Sequence, residues 1–190
     1  LMVDDAHGVG VIGADGSGTA AYYNMQGTID LQVGTLSKAL AAEGGYVAAS
    51  KTIIEYLINK SRPFIFSTAL PACVMAAALA ALLLLRQKPE QYVGRLKENA
   101  ALMRRLLHDE GFEIIEGVTP IVPVFTGSSE KTMRFMAALL EAGIMVSGIR
   151  PPTVPEGTSR LRVTVTAAHT EAEIKQAAKT MGRIWRELKA

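Results

Sequence analysis

Cysteine is almost missing: Cys73 is the only one in 190 residues. An internal disulfide framework is therefore excluded, and a reducing, cytoplasmic setting is expected. Set in an apolar stretch, Cys73 reads as a small inert core residue. Histidine is scarce as well, with three in the chain and no cluster at metal-ligand spacing, so no metal site is expected. A run of one charge is lacking too. The 20 basic and 18 acidic residues are spread along the chain, which leaves nothing to track a phosphate backbone, and nucleic acid is not an expected partner. No apolar run is long enough to cross a bilayer: the longest, Ala72 to Leu85, is followed by Arg86, Lys88 and Glu90 and reads as a buried helix. A secretory leader is not visible either, because Leu1-Met2-Val3 passes straight into Asp4-Asp5 without a basic start or a cleavage pattern.

What is present is ordinary globular material, 49% apolar and 20% charged, enough for one fair-sized domain or one domain with a small appendage. Leu1 to Val3 looks like the end of a buried strand leading into polar residues. Such a strand needs neighbours and covering helices, so a front portion is expected to be absent from this sequence.

Gly8 to Gly18 holds five glycines and reads as a loop through conformations other residues avoid. Ile29 to Val33 reads as a strand, Gly34 to Lys38 as a turn, and Gly45 to Ala49 as a further strand. Lys51 to Ser61 is expected to be an amphipathic helix, and Phe64-Ile65-Phe66 a buried strand ending in Ser67-Thr68. Helices follow from about Pro71 to Leu85 and from Glu90 to Asp109. After Gly111 the texture becomes that of a small α+β unit. Strands are expected at Phe112 to Ile115, Pro120 to Phe125 and Leu161 to Val165, with helices at Glu130 to Glu141 and Glu171 to Leu188. Gly143 fits the position that ends the first of these helices, and Thr170 with Glu173 forms a capping box opening the second. Ile174, Ala178, Met181, Trp185 and Leu188 then share a stripe that packs on the small sheet. The division is placed at 1–95 and 96–190.

Several residues are candidates for chemistry. Lys38 follows a strand and a turn of small hydroxylated residues, where its amine would be partly desolvated and so favoured in the neutral form that condenses with an aldehyde. Thr35 and Ser37 add hydroxyl donors suited to a phosphate oxygen. A solvated loop lysine fits the same local sequence. Asp4 and His7 lie at the mouth of the first strand: the carboxylate suits a protonated ring nitrogen, a share in a metal site, or a structural pair with the histidine. Arg160 and Arg162 alternate with Leu161, Val163 and Val165, so both face away from the apolar side, where a guanidinium can grip a substrate carboxylate through two parallel hydrogen bonds. Spacing does not choose between them. Thr153, in a proline-rich segment, offers either a substrate contact or a linker.

In order, VDDAHGVGVIG (3–13), GTLSKAL (34–40), GGYVAAS (44–50), FIFSTALP (64–71) and RLRVTVTAAHT (160–170) resemble the α-oxoamine synthases, fold-type I pyridoxal-phosphate enzymes. The resemblance covers nearly the whole chain. It implies an α/β fold: the back part of the cofactor-binding large domain, a mostly parallel sheet with helices, over 1–95, and a C-terminal α+β small domain over 96–190. It also implies pyridoxal 5'-phosphate as cofactor, with Lys38 and His7 catalytic. Lys38 would be the Schiff-base lysine, Asp4 the partner of the ring nitrogen, and His7 the contact to the ring oxygen. Thr35 would bind the phosphate, and Ser67 and Thr68 lie in a segment that reaches the phosphate of the neighbouring subunit in a homodimer. Arg162, rather than Arg160, matches the carboxylate-binding arginine, and Thr153 a substrate-contacting threonine. The implied substrates are an amino acid, alanine or glycine, and an acyl-CoA or acyl-carrier thioester, joined with release of carbon dioxide. IRPPTVPEGTSRLRV (149–163) most resembles the branch that uses alanine and a pimeloyl thioester, and IDLQVGTLSKAL is similar also to a branch that uses glycine. The family's N-terminal half has no counterpart in this sequence. A truncated, non-catalytic partner subunit and an aminotransferase of the same fold type are the alternatives.

Overall fold

A computed structural model describes residues 1–189. The chain forms two compact units, Leu1–Gly94 and Arg95–Ala190.

The first unit is built on a three-stranded sheet of order β1-β2-β3. β1 (Met2–Asp4) leads through the glycine loop into a single helical turn, α1 (Thr19–Tyr22). β2 (Leu31–Thr35) lies parallel to β1, with Asp4 opposite Val33, and β3 (Gly45–Ala49) lies antiparallel to β2, with Tyr46 opposite Gly34. The sheet is thus mixed. β1 and β2 run in the same direction, so both carboxyl ends, and the segments holding His7 and Lys38, open at one edge. α2 (Lys51–Lys60) starts at Ser50, whose side chain accepts from the Ile53 amide.

Three expectations in this unit need correction. Phe64-Ile65-Phe66 is not a strand. Arg62–Ile65 is a short helix, α3, with proline in its first turn, where the missing N–H costs nothing. Phe64 and Phe66 are exposed. The run from Ala72 is helical, α4 (Ala72–Gln87), yet only Ala78 within it is buried; Met75, Leu79, Leu82, Leu83 and Leu84 are exposed. An apolar run reports a helix that has to be covered, not what covers it. Cys73 is likewise exposed rather than a core residue. The unit ends in a π-helical turn, Glu90–Gly94, that buries Val93, whose methyl group fills the space beside Gly16.

The second unit has a contiguous apolar core. α5 (Arg95–Asp109), β4 (Ile121–Gly127), α6 (Ser129–Glu141), β5 (Ser147–Ile149), β6 (Ser159–Thr164) and α7 (Glu171–Lys189) follow in order. The sheet is antiparallel, of order β4-β6-β5. Leu107, Val122, Val124, Phe135, Leu139, Leu161, Ile174 and Met181 are almost fully enclosed. Each such side chain contributes roughly 1.5–3 kcal/mol by leaving water. Phe135 lies 5.0 Å from Trp185, ring centre to ring centre, and Phe112 completes the aromatic cluster. The α7 stripe of Ile174, Ala178, Met181 and Trp185 is buried as its periodicity requires.

Both helix-end readings hold. Gly143, at φ +80°, donates to the Leu140 carbonyl, and Ile144 to that of Leu139, closing α6 with paired end bonds. At α7, the Thr170 amide donates to Glu173 Oε2 at 2.7 Å and the Glu173 amide to Thr170 Oγ1 at 3.3 Å. Phe112 to Ile115 is not a strand: only Ile114 pairs, as an isolated bridge to Val124. β5 had no sequence signal, since Ser147-Gly148-Ile149 is too short to alternate and contains a glycine.

Candidate active site

The parallel pair β1 and β2 places its carboxyl ends side by side, where ligands of open α/β sheets bind. Side chains alternate along a strand. Asp4 pairs with Val33, and Thr35 is two residues beyond Val33, so Asp4 and Thr35 share one face of the sheet. Asp4 is exposed. Its Oδ1 accepts from the Ala6 amide at 3.0 Å, while Oδ2 has no hydrogen bond among the described residues. His7 is exposed in the turn that follows.

Thr35 organises the end of β2. Its hydroxyl donates to the Gly44 carbonyl at 3.1 Å, lies 2.7 Å from Ser37 Oγ, and accepts from the Ser37 amide at 3.2 Å. Two hydroxyls are thereby set side by side at a strand end. Lys38 comes next, in a turn closed by Ala41 N–H to the Lys38 carbonyl and Ala42 N–H to that of Leu36. Ala41 takes a φ of +51°, a left-handed conformation that costs a residue with a Cβ of the order of 1–2 kcal/mol.

The desolvation expected at Lys38 is not found. Its side chain is exposed and makes no hydrogen bond or ion pair among the described residues. A strand-end turn places the amine at the mouth of the sheet, but enclosing it takes a further surface. Ser67 and Thr68 are exposed after α3, and Thr153 is exposed in the segment before β6.

In the second unit, β6 alternates as its sequence requires: Ser159, Leu161 and Val163 are buried, and Arg160 and Arg162 occupy the other face. The arginines differ in their partners. Arg160 Nε donates to the Thr158 carbonyl at 2.9 Å, and its guanidinium sits 4.7 Å from the Phe125 ring centre. Arg162, half-buried, has no hydrogen bond or ion pair among the described residues. Among the described residues, no group of three or more His, Cys, Asp or Glu side chains is placed to hold a metal ion.

Asp5, Thr19, Gly34 and Tyr46 also shape the strand ends, and the sequence did not single them out. Asp5 is buried, with both carboxylate oxygens on Thr19. The Tyr46 ring lies across Gly34, where a Cβ would overlap it. Burial, and then the negative charge of Asp5, holds the Tyr46 hydroxyl above the usual tyrosine range. Glycine spacing around Asp5 was the visible signal, but nothing local pairs residue 5 with residue 19.

A model of the family described as aminotransferase class I and II matches residues 1–181. The chain belongs to the aminotransferase class I and II family. Among its relatives, this family member is 49% identical over 189 residues to an 8-amino-7-oxononanoate synthase of Trichlorobacter lovleyi, covering 99% of this chain and 48% of that protein. It is 51% identical over 190 residues to the same-named protein of Geobacter sulfurreducens, again covering 99% and 48%. A solved structure of SPT, serine palmitoyltransferase, with a PLP internal aldimine is similar at a TM-score of 0.93 and 33% identity, covering 99% of this chain and 48% of that one. The chain spans about half the length of the relatives it matches. No single helix among the described residues is long and apolar enough to cross a membrane.

Proposed function

We propose that this chain carries the lysine-bearing part of a pyridoxal-phosphate acyltransferase that joins an amino acid to an acyl thioester with loss of carbon dioxide. The preferred substrates are alanine and a pimeloyl thioester, as in 8-amino-7-oxononanoate synthase of biotin biosynthesis, and the assembly is a cytoplasmic homodimer. The observation that carries this reading is the meeting of Asp4, His7, Thr35, Ser37 and Lys38 at the carboxyl ends of two parallel strands. The names of the relatives, of whose length this chain spans about half, support the substrate assignment.

The residues suit the cofactor. Asp4 lies on the face it shares with Thr35, with one carboxylate oxygen unbonded among the described residues, and the Thr35 and Ser37 hydroxyls stand 2.7 Å apart. Pyridoxal phosphate, when bound, supplies an aldehyde that takes up an amine and a ring that accepts an electron pair. Asp4 would stabilise a protonated ring nitrogen, His7 would meet the ring oxygen, and Thr35 and Ser37 would hold the phosphate together with Ser67 and Thr68 of a second subunit. Lys38 Nζ would hold the cofactor at rest and move a proton to and from the substrate once displaced. Arg162 would orient the amino acid through its carboxylate, and Thr153 would offer a hydroxyl to substrate. The exposure of Lys38 adds a requirement: the bound ring and further polypeptide, from a second subunit or from outside the matched half, must exclude water from the amine.

The test uses the protein as its gene encodes it. With pyridoxal phosphate added, borohydride reduction should leave a cofactor adduct at Lys38, seen by peptide mass, and Lys38→Ala should abolish it. Alanine with a long acyl thioester should release carbon dioxide and the free thiol faster than glycine with an acetyl thioester. Faster turnover with glycine and the acetyl thioester would move the assignment to glycine C-acetyltransferase. Turnover with an amino acid and a keto acid alone would make it an aminotransferase, and no adduct on a folded sample would leave a non-catalytic subunit.

A further inference from the structure

Asp5 is 4% exposed and makes no ion pair among the described residues. A carboxylate withdrawn from water without a counter-charge is costly unless its lone pairs are used. Here they are. Oδ2 accepts from the Thr19 amide at 2.8 Å and Oδ1 from the Thr19 hydroxyl at 2.5 Å, fourteen positions along the chain. Its main chain is equally engaged: the Asp5 amide donates to the Val33 carbonyl at 2.7 Å, and its carbonyl accepts from the amides of Gly8 at 2.9 Å and Val9 at 3.1 Å. Gly8 and Gly18 press against the carboxylate, and a Cβ on either would overlap it. Both ends of the glycine loop are therefore closed on one side chain.

We infer that Asp5 is the positioning residue of the candidate site: its clasp on Thr19 fixes the strand end and turn that present Asp4 and His7. The inference rests on the pyridoxal-phosphate reading above. Three features connect it to the site. Alternation along the extended chain puts Asp5 and Asp4 on opposite faces, so burying the one holds the other toward the opening. The bond from its amide to Val33 sets the register of β1 against β2, and thus Asp4 against Thr35. The Gly8 and Val9 amides on its carbonyl wind the turn that holds His7. Asp5 itself touches no ligand in this arrangement; it acts through its neighbours.

Thr19→Val keeps the shape and the backbone donor and deletes the hydroxyl, and Thr19→Ser restores the hydroxyl. In the protein as its gene encodes it, Thr19→Val should weaken pyridoxal-phosphate retention roughly tenfold, the loss of one hydrogen bond to a charged group. It should also change the visible absorption band of the lysine-bound cofactor, while Thr19→Ser keeps the wild-type affinity and band. Wild-type affinity and spectrum in Thr19→Val, with or without a lower melting temperature, would reduce Asp5 to a purely structural residue and overturn the inference. A Thr19→Ser protein as defective as Thr19→Val would do the same. Should Thr19→Val not fold, Asp5→Asn is judged by the same two readouts. The borohydride adduct at Lys38 in the wild type separates the two failures. Without it the cofactor reading falls, whereas its presence beside unaltered variants removes the role of Asp5 alone.

Discussion

Arg160 and Arg162 stand two residues apart on the same face of β6, and among the described residues only Arg160 is held: its guanidinium lies over Phe125 and its Nε donates to the Thr158 carbonyl. A side chain already committed in this way is a poor receptor for a substrate carboxylate. Arg162 makes no hydrogen bond among the described residues, and it sits in a half-buried place where a planar fork has an advantage over a flexible ammonium.

The two positions should therefore fail differently. Arg162→Lys is expected to raise the KM for the amino acid by about tenfold or more, the value of one lost charge-assisted hydrogen bond, and to leave the cofactor spectrum alone. Arg160→Lys should cost stability, about 0.5–1 kcal/mol for a weakened ring contact, with little change in KM. Steady-state kinetics beside thermal melts decide it, and a larger KM effect at position 160 would reverse the assignment.

Gly34 and Tyr46 face each other across β2 and β3. The phenol ring occupies the space a Cβ on Gly34 would take. Gly34→Ala should cost about 1–3 kcal/mol from overpacking. Tyr46→Ala in the same protein should recover part of that loss, giving a coupling energy above about 0.5 kcal/mol in a double-mutant cycle. Denaturant midpoints of the four proteins supply the measurement, and additive costs would show that the ring moves aside freely.

Tyr46 should also mark itself by titration. Its hydroxyl is held above the ordinary value of 10.0 by burial and by the Asp5 charge. The folded state therefore keeps a proton that the unfolded chain gives up near that value. The associated stability is complete below about pH 10 and is lost as the pH rises through the elevated folded value. Ultraviolet difference spectra should show a late-ionising phenol that Tyr46→Phe removes and Asp5→Asn shifts downward. A late phenol that survives Tyr46→Phe would refute the assignment.

The legible parts of this fold were those whose cause is local. The capping box of Thr170 and Glu173 and the end bonds at Gly143 form from neighbours in sequence. The α7 stripe and the alternation along β6 are periodicities that one buried side imposes. The strand ends bearing Asp4 and Lys38 were marked by glycine and hydroxyl residues in the same way. Failures came where the cause lies elsewhere in the chain. Phe64 to Phe66 has the composition of a strand, yet Pro63 and the Ser61 carbonyl wind it into a turn of helix. α4 is apolar enough for a core, but burial depends on what packs against it, which a single helix does not encode. Whether Lys38 is enclosed depends in the same way on what covers it, and the Asp5–Thr19 clasp joins residues that no local pattern relates.

Glu173 gives the sharpest pH test of the second unit. Its carboxylate is held below the usual glutamate value of 4.5, first by the Thr170 amide, then by the Thr170 hydroxyl, with His169 and Arg95 adding smaller positive influences. The helix dipole favours a negative charge at this first turn of α7 as well. For a depressed carboxyl group, the unfolded chain binds the proton first as the pH falls. The contribution is therefore present above about 4.5 and lost as the pH drops through the folded value. Glu173→Gln keeps an acceptor for the Thr170 amide and removes the charge, so it should melt below the wild type at neutral pH. The two melting curves should converge only once the pH has fallen through the depressed folded value, where the glutamate in the wild type becomes neutral too. A gap that stays constant from neutral to acid would mean that the side chain acts through shape and hydrogen bonding alone, and that the charge at the start of α7 contributes nothing to holding it.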